Sequence, residues 1–253
     1  MLQFRLAVGF LTVFPMAPSG KQRMGPARAY FPLVGLALGG LLAGLDFGTR
    51  QILPLPLVGA LLIVALLVLT RALHTEGFLD SCDGLVGGNS PAKRLEILKD
   101  THVGAFAVIG GTALLLTKWA LLVSIPDDAR VSLLVLFPCL SRFGMVSTME
   151  AFPYARQEGA GRAFQKGKSR WHIISGAATA AVAASLLFGV GGLLLVAAAG
   201  AVSLGTACWI ARMLDGMTGD TYGAVNETAE VTVLLIGIVL YSFVSDLCQP
   251  ALW

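Results

Sequence analysis

A cluster of acidic side chains lies between residues 74 and 84, in the segment HTEGFLDSCDG. Glu76, Asp80 and Asp83 stand at positions i, i+4 and i+7, which share one face of a helix. Three like charges on one face destabilise a helix unless a cation lies between them. Oxygen ligands select hard cations, and Mg²⁺ is usually bound by one or two carboxylates together with substrate phosphates. The spacing therefore predicts a Mg²⁺ site for a diphosphate substrate, with a solvated helix face as the alternative.

Glycines surround these acids, at Gly77, Gly84, Gly87 and Gly88. Each glycine in a helix costs about 1 kcal/mol relative to alanine, so this composition disfavours a long exposed helix. The pattern indicates instead a short segment that another part of the chain approaches closely, which favours the metal site over the solvated face.

Basic side chains that could bind phosphate occur in YARQEGAGRAFQKGKSRW, among them Arg156 and Lys166. Arginine forks and lysine point charges both recognise phosphate. The general excess of cations on the cytoplasmic side of membrane proteins explains roughly half of these residues without a ligand. Asp220, in the glycine-flanked turn MTGDTYGA, is a further source of acid for the site.

The composition points to a membrane protein. Of 253 residues, 56% are hydrophobic and only 13% are charged, against roughly 25% charged in soluble domains. No lysine- and arginine-rich run with interleaved aromatics suggests nucleic acid, and the net charge is only +3. The four cysteines have no paired spacing, so the sequence predicts neither a disulfide framework nor a zinc site.

The apolar pattern predicts an all-α, polytopic helix bundle that forms one integral membrane domain over residues 1–253. A short helix over Leu2–Phe14 is expected to lie at the membrane interface or against the bundle, since it is too short to span. Small residues in GLALGGLLAG and GAATAAVAASLLFG predict close helix contacts. Polar loops that would carry an active site cover 74–102, 149–172 and 213–230. The same pattern predicts about seven transmembrane helices. They are Tyr30–Leu45, Ile52–Leu73, Val103–Ser124, Val131–Thr148, Ile173–Gly189, Gly192–Met213 and Val231–Ser245.

Charge sidedness predicts the orientation. With seven spans, most lysines and arginines of the loops fall on one side, and Arg50 and Arg130 fall on the other. The positive-inside rule makes the first side cytoplasmic, so the acid-rich loops face the cytoplasm and the C-terminus faces out.

Two cations fall inside apolar stretches. Lys118 lies near the predicted outer end of its helix and is expected to snorkel to the surface. Arg142, in CLSRFGM, lies deeper, and an intramembrane arginine is a functional hypothesis by default. A role in the site and a buried ion pair both stay open for Arg142.

Three classes of function fit a membrane protein. A transferase would use Mg²⁺ to activate a nucleoside-diphosphate-linked substrate for attack by a hydroxyl. A secondary transporter would place its charges near the bilayer midplane, usually with repeated halves, and no convincing repeat is present. A structural subunit would not need the acid and cation constellation. Magnesium dependence of substrate binding discriminates the transferase from the transporter.

Five stretches, FLTVFP, HTEGFLDSCDG, RLEILKDTHVGAF, YARQEGAG and MTGDTYGAVNE, occur in an order and at separations that resemble the cobalamin-5′-phosphate synthases, or adenosylcobinamide-GDP ribazoletransferases. The resemblance implies a Mg²⁺-dependent enzyme of the cell inner membrane in a late step of cobalamin (vitamin B12) biosynthesis. It implies that adenosylcobinamide-GDP joins α-ribazole or its 5′-phosphate and releases GMP. The related CDP-alcohol phosphotransferases are disfavoured, because their D-G-x-x-A-R signature is absent after Asp83.

The resemblance also implies roles for individual residues. As a mechanistic hypothesis, His74 or His102 would accept the hydroxyl proton, and the favoured alternative for His74 is a hydrogen bond that orients an acid. Many family members carry arginine at the position of His102. As partners it implies the lipid bilayer and the two small-molecule substrates, with a homo-oligomer or an association with other cobalamin-assembly enzymes left open. The predicted catalytic residues are His74, Asp80, Asp83, Asp100 and His102; the predicted substrate-binding residues are Lys99, Arg142, Tyr154, Arg156, Glu158, Lys166, Asp220 and Glu227; the predicted Mg²⁺ ligands are Glu76, Asp80 and Asp83.

Overall fold

The structure is a computed structural model that describes residues 1–17, 22–156, 158, 160–165, 167 and 169–250. Apart from one isolated β-bridge between Tyr154 and Met217, the regular structure in these residues is helical, which confirms the all-α prediction. The α-helices are α1 (Leu2–Leu11), α2 (Phe31–Thr49), α3 (Leu55–Thr70), α4 (Leu73–Gly87), α5 (Pro91–Ile97), α6 (Ala105–Ser124), α7 (Asp127–Ala151), α8 (Ala160–Gln165), α9 (Arg170–Leu214) and α10 (Gly219–Phe243).

Within the described residues, five helical segments are long and apolar enough to cross a membrane. They are α2 with its 3₁₀ extension from Gly25, then α6, α7, α9 and α10. A sixth crossing results if α3 and α4, which are bent by 93°, form one broken span. A multi-pass membrane bundle is thus confirmed, while the count of seven stays a prediction.

The longest element, α9, reverses direction near its middle. Phe188 and Gly189 have non-helical dihedral angles, and Gly189 has a φ of 56°, which glycine adopts without strain. Eight residues along a straight helix would cover about 12 Å, yet a Cβ placed on Gly192 would lie 3.1 Å from the Cα of Ala184. The two arms of α9 therefore pack against each other in an antiparallel hairpin.

Helix α7 is the centre of the bundle, and it packs against α2, α9 and α10. Glycines of α2 bring its backbone against that of α7. A Cβ added at Gly35 would lie 2.7 Å from the Cα of Cys139, and one at Gly39 would lie 2.6 Å from the Cα of Val135. This confirms the close contact predicted from GLALGGLLAG, which gives membrane helices their van der Waals attraction.

Several predicted boundaries are wrong, for identifiable reasons. The N-terminal helix ends at Leu11 rather than at Phe14. The predicted span Ile52–Leu73 ends at Thr70, and the predicted loop over 74–102 contains helices α4 and α5. The predicted loop over 213–230 is mostly the first half of α10.

Helix α10 begins early because its N-terminus is well capped. The Thr218 side chain accepts a hydrogen bond from the Thr221 backbone, and the Thr221 side chain accepts one from the Thr218 backbone. Asp220 in the first turn adds a favourable interaction with the helix dipole. These local signals outweigh the low hydropathy of the segment.

A buried ion pair between Arg130 and Asp46 lies at the end of the bundle opposite to helices α4 and α5. Arg130 is fully buried, and its guanidinium donates to both carboxylate oxygens of Asp46 at 2.7–3.0 Å. Arg50 lies 2.9 Å from Asp127 at the same end. Asp46 is therefore a buried partner that links α2 to α7.

Candidate active site

A sharp bend between α3 and α4 sets the position of the acid cluster. Arg71 and Ala72 both adopt left-handed backbone angles, with φ of 54° and 52°. Such angles cost roughly 1–2 kcal/mol each for residues other than glycine. The bend turns α4 away from the direction of α3 and places it across α6 and the first turns of α10.

Two glycines allow α4 and α10 to touch backbone to backbone. A Cβ at Gly77 would lie 2.5 Å from the carbonyl oxygen of Asp220, and one at Gly223 would lie 2.6 Å from that of His74. Real Cβ atoms do not approach so closely, so only glycine fits at either position. The prediction of a closely approached segment is confirmed, and α4 is nevertheless a helix of 15 residues.

A cavity of about 200 Å³ lies beside this crossing. It brings together six of the predicted site residues, which come from α4, from α10 and from the segment that follows α7. Apolar and aromatic side chains complete its wall, as is common for ligand sites. The predicted residues in the lining are His74, Glu76, Asp80, Tyr154, Arg156 and Asp220, and the others include Phe10, Met145, Met149 and Tyr222.

Asp80 is the acid in this cavity whose charge is least compensated. Burial is the main cause that raises its pKa to about 6, and repulsion by Asp220, Glu76 and Asp83 raises it further. Arg156 opposes these effects without cancelling them. A carboxyl group whose acidic neighbours exceed its basic ones is a candidate for binding a cation.

Arg156 connects the cavity to the loops around it. Its guanidinium lies 2.9 Å from Asp220 and donates to the carbonyl oxygen of Leu98 at 3.0 Å. Its Nε is buried without a hydrogen-bond partner among the described residues. Tyr154, on the same segment, stacks on Tyr222 with ring centroids 6.4 Å apart.

Asp83 has a different environment from Asp80, although both lie on α4. Its Oδ2 accepts from the backbone of Gly104 at 2.7 Å, and its Oδ1 accepts from that of Ala107 at 2.9 Å. Both oxygens thus bind the free N–H groups at the start of α6, where a negative charge is favourable. In the described part of the chain, no group of three or more His, Cys, Asp or Glu side chains is arranged to hold a metal ion. The metal site of Glu76, Asp80 and Asp83 stays a prediction.

Below the cavity lies a buried network of charges. Lys118 of α6 binds the carboxylates of Glu227 and Glu230 of α10, and Arg142 of α7 binds Glu230 as well. These four side chains are at most 5% exposed. The prediction that Lys118 snorkels to the surface is therefore wrong, because its ammonium is buried between two carboxylates. Glu227 lies in this network rather than in a loop. Of the two roles left open for Arg142, the structure shows the buried ion pair, with Glu230 as its partner.

His74 joins this network to the cavity. Its Nδ1 lies 3.3 Å from Nη2 of Arg142, and its ring lines the cavity. Its Nε2 is buried and has no hydrogen-bond partner in the described part of the chain. Thr75, the next residue, donates to Glu227 at 2.8 Å, so α4 is tied twice to the buried charges.

The remaining predicted site residues lie elsewhere. Lys99, Asp100 and His102 are exposed on the segment between α5 and α6 and do not line the cavity. His102 contacts Asp100 at 2.6 Å, and the hydrogen bond from the His102 backbone lowers the pKa of Asp100. Glu158 is exposed as well, and Lys166 lies outside the described residues.

Sequence reasoning missed Glu230 and misinterpreted Lys118. Glu230 is fully buried and accepts from Arg142, Lys118 and Asn226, so it is the centre of the network. A signal was present, because Glu227 and Glu230 are three residues apart at the start of an apolar run and therefore share a helix face.

The fold and the cavity together define a polytopic membrane protein with an acid-lined site at one end of the bundle. The cobalamin-5-phosphate synthase family model matches residues 3–239. An adenosylcobinamide-GDP ribazoletransferase of Geotalea daltonii is 35% identical, over 91% of this chain and 94% of that protein. Proteins of the same name from Syntrophobacter fumaroxidans and Deinococcus radiodurans are 37% and 39% identical, over 94% and 90% of this chain and 98% and 82% of those proteins.

The chain therefore belongs to the cobalamin-5-phosphate synthase family. It is a transferase of cobalamin biosynthesis. No solved structure matches it.

Proposed function

We propose that this protein joins adenosylcobinamide-GDP to α-ribazole, or to its 5′-phosphate, with release of GMP. The observation that carries the proposal is the cavity beside α4, where Asp80 lies among carboxylates without a matching cation. Relatives that share most of the chain are named for this transfer. An uncompensated carboxylate at the membrane face fits a substrate that arrives with a diphosphate and a cation.

The residues present fit Mg²⁺ held by two carboxylates. Asp80 and Glu76 are one helical turn apart on α4 and both line the cavity, so they would hold the ion, with phosphate oxygens completing its shell. Asp83, whose oxygens bind the start of α6, is the weaker candidate ligand. Bound Mg²⁺ would neutralise charge that develops on the departing nucleotide.

The chain's own groups would bind and orient the phosphates. Arg156 reaches into the cavity with an unpartnered Nε, and it would exchange its pairing with Asp220 for phosphate oxygens. The acceptor's ribose hydroxyl forms the new P–O bond at the phosphorus attached to the corrinoid side. The bond to the bridging oxygen breaks, GMP leaves with that oxygen, and the hydroxyl proton passes to water. Such transfer depends mostly on positioning and electrostatics.

We also propose seven crossings, with the cavity facing the cytoplasm of a bacterial inner membrane and the C-terminus outside. The hairpin in α9 supports counting that element twice, and α3, which ends where the chain bends by 93° into α4, supports a further crossing. Arg50, Asp127 and Arg130 occupy the opposite end, where cations are few. A reporter fused after the last residue should be accessible from outside, and a cytoplasmic signal would remove one crossing.

The decisive experiment is an assay for GMP release by the purified protein in detergent. Adenosylcobinamide-GDP with α-ribazole should yield GMP, and chelation of Mg²⁺ should abolish the release. Asp80→Asn tests the carboxylate, with Asp215→Asn as matched control, because Asp215 is exposed and absent from the cavity lining. No GMP with either acceptor would overturn the proposed reaction, and release unaffected by chelation would overturn the Mg²⁺ site.

A further inference from the structure

The two nitrogens of the His74 ring have different surroundings. The ring is 4% exposed, and Nδ1 lies 3.3 Å from Nη2 of Arg142. A guanidinium has donors and no acceptor, so Nδ1 must accept this hydrogen bond. The proton of a neutral ring is then on Nε2, which has no partner among the described residues, while the ring itself lines the cavity.

Arg142 is itself held in place from the other side. Its Nη1 binds Glu230 and lies 3.0 Å from the hydroxyl of Ser141. Glu230 in turn accepts from Asn226 at 3.0 Å and binds Lys118. All of these groups are buried, and together they hold Nη1 on the side of Glu230 and leave Nη2 against the imidazole.

We infer that His74 is a hydrogen-bond donor to the substrate through Nε2–H, and that Arg142 and Glu230 are positioning residues that fix this tautomer. The inference rests on the proposed function only for the identity of the ligand, an oxygen of the diphosphate in the cavity. It replaces the predicted role of His74 as a proton acceptor, because its one basic nitrogen is occupied by Arg142. A donor aimed at developing charge is the common way in which such sites stabilise transferred phosphate.

A structural readout tests the tautomer without any substrate. In protein labelled with ¹⁵N-histidine, Nδ1 of His74 should resonate as a nitrogen without hydrogen and Nε2 as one with hydrogen. Arg142→Met, which has no N–H donor, should weaken this distinction, whereas Arg130→Met should leave it intact. Arg130 is an equally buried arginine paired with an acid at the far end, so it controls for the loss of a buried guanidinium. A proton on Nδ1 in the parent protein would overturn the inference.

Substitution of His74 tests the contact with substrate. His74→Gln retains an N–H near the position of Nε2 and cannot act as a base, so it should keep kcat within a few-fold of the parent. His74→Ala should lower kcat by about 10- to 100-fold, the range expected for one hydrogen bond to a charged group. Equal loss in folded Gln and Ala variants would overturn the donor role.

A double-variant cycle separates positioning from general damage. If Arg142 acts through the imidazole, Arg142→Met should cost less activity in the His74→Ala background than in the parent. Purely additive losses would overturn the positioning role. The ¹⁵N spectrum is independent of turnover, so a failure of the proposed reaction and a failure of this inference give different results.

Discussion

Two acid-rich regions are connected by His74, and they differ in how their charges are compensated. In the buried network, two carboxylates face two cations, and Glu227 and Glu230 each bind Lys118 or Arg142 directly. In the cavity, Asp80 is surrounded mainly by other carboxylates. Inside this membrane protein, carboxylates that are paired with cations therefore stabilise the fold, whereas carboxylates without such partners are available to bind a ligand.

Removal of one cation from the buried network should cost the most stability. Lys118→Met leaves Glu227 and Glu230 with one cation between them, which should lower the free energy of unfolding by about 3–5 kcal/mol. Steric trapping in bicelles measures that free energy. The charge-balanced double variant Lys118→Met/Glu227→Gln is the matched control and should be less destabilised than the single variant. A single variant as stable as the parent would show that the network is not needed for folding.

Asp80→Asn tests the unmatched region. The substitution keeps shape and removes charge, so we expect GMP release to fall by at least about 100-fold, as when several kcal/mol of charge stabilisation are lost. The free energy of unfolding should stay equal or rise, because a repelled carboxylate is removed. Activity within a few-fold of the parent at saturating Mg²⁺ would contradict the role of Asp80.

Asp83→Asn should act mainly on stability, since Asp83 lies on the same helix as Asp80 but binds two backbone N–H groups. One of those N–H groups would face the new amide nitrogen, so we expect a loss of about 1–2 kcal/mol in the free energy of unfolding. Activity per folded molecule should change less than in Asp80→Asn. Collapse of activity with unchanged stability would make Asp83 a Mg²⁺ ligand after all.

The smallest expected effect is a pH dependence. Because the folded protein raises the pKa of Asp80 to about 6, from an ordinary value of 3.8 for this side chain, the folded state binds more protons than the unfolded state between these two values. Without Mg²⁺, the free energy of unfolding should therefore decrease as pH rises through this window. Asp80→Asn should flatten that slope, as thermal melts from pH 4 to pH 7 would show. A slope unchanged by the substitution would contradict the repulsion at Asp80.

The helical class, most of the spans and the cavity acids could be predicted, because each depends on short-range patterns of hydropathy and spacing. The matched network could not, since its partners are distant in sequence. Lys118 and Glu227 are 109 residues apart, and Arg142 and Glu230 are 88 apart. Without those partners, Glu227 and Glu230 resemble solvated residues, which is why the start of α10 was predicted as a loop. The bend at Arg71 and Ala72 has no sequence signal, since neither residue favours a left-handed backbone.

The glycine contact between α4 and α10 has a consequence for substrate size. Because Gly77 and Gly223 each rest on a carbonyl oxygen of the other helix, the spacing on that side of the cavity is a backbone dimension. Exchange of side chains along this crossing can only force the helices apart. Adaptation to a bulkier or smaller ligand would therefore have to proceed through the opposite wall, at Phe10, Met145 and Met149. The wall at Gly77 and Gly223 is set by backbone contact, whereas the opposite wall can change through substitution of its side chains.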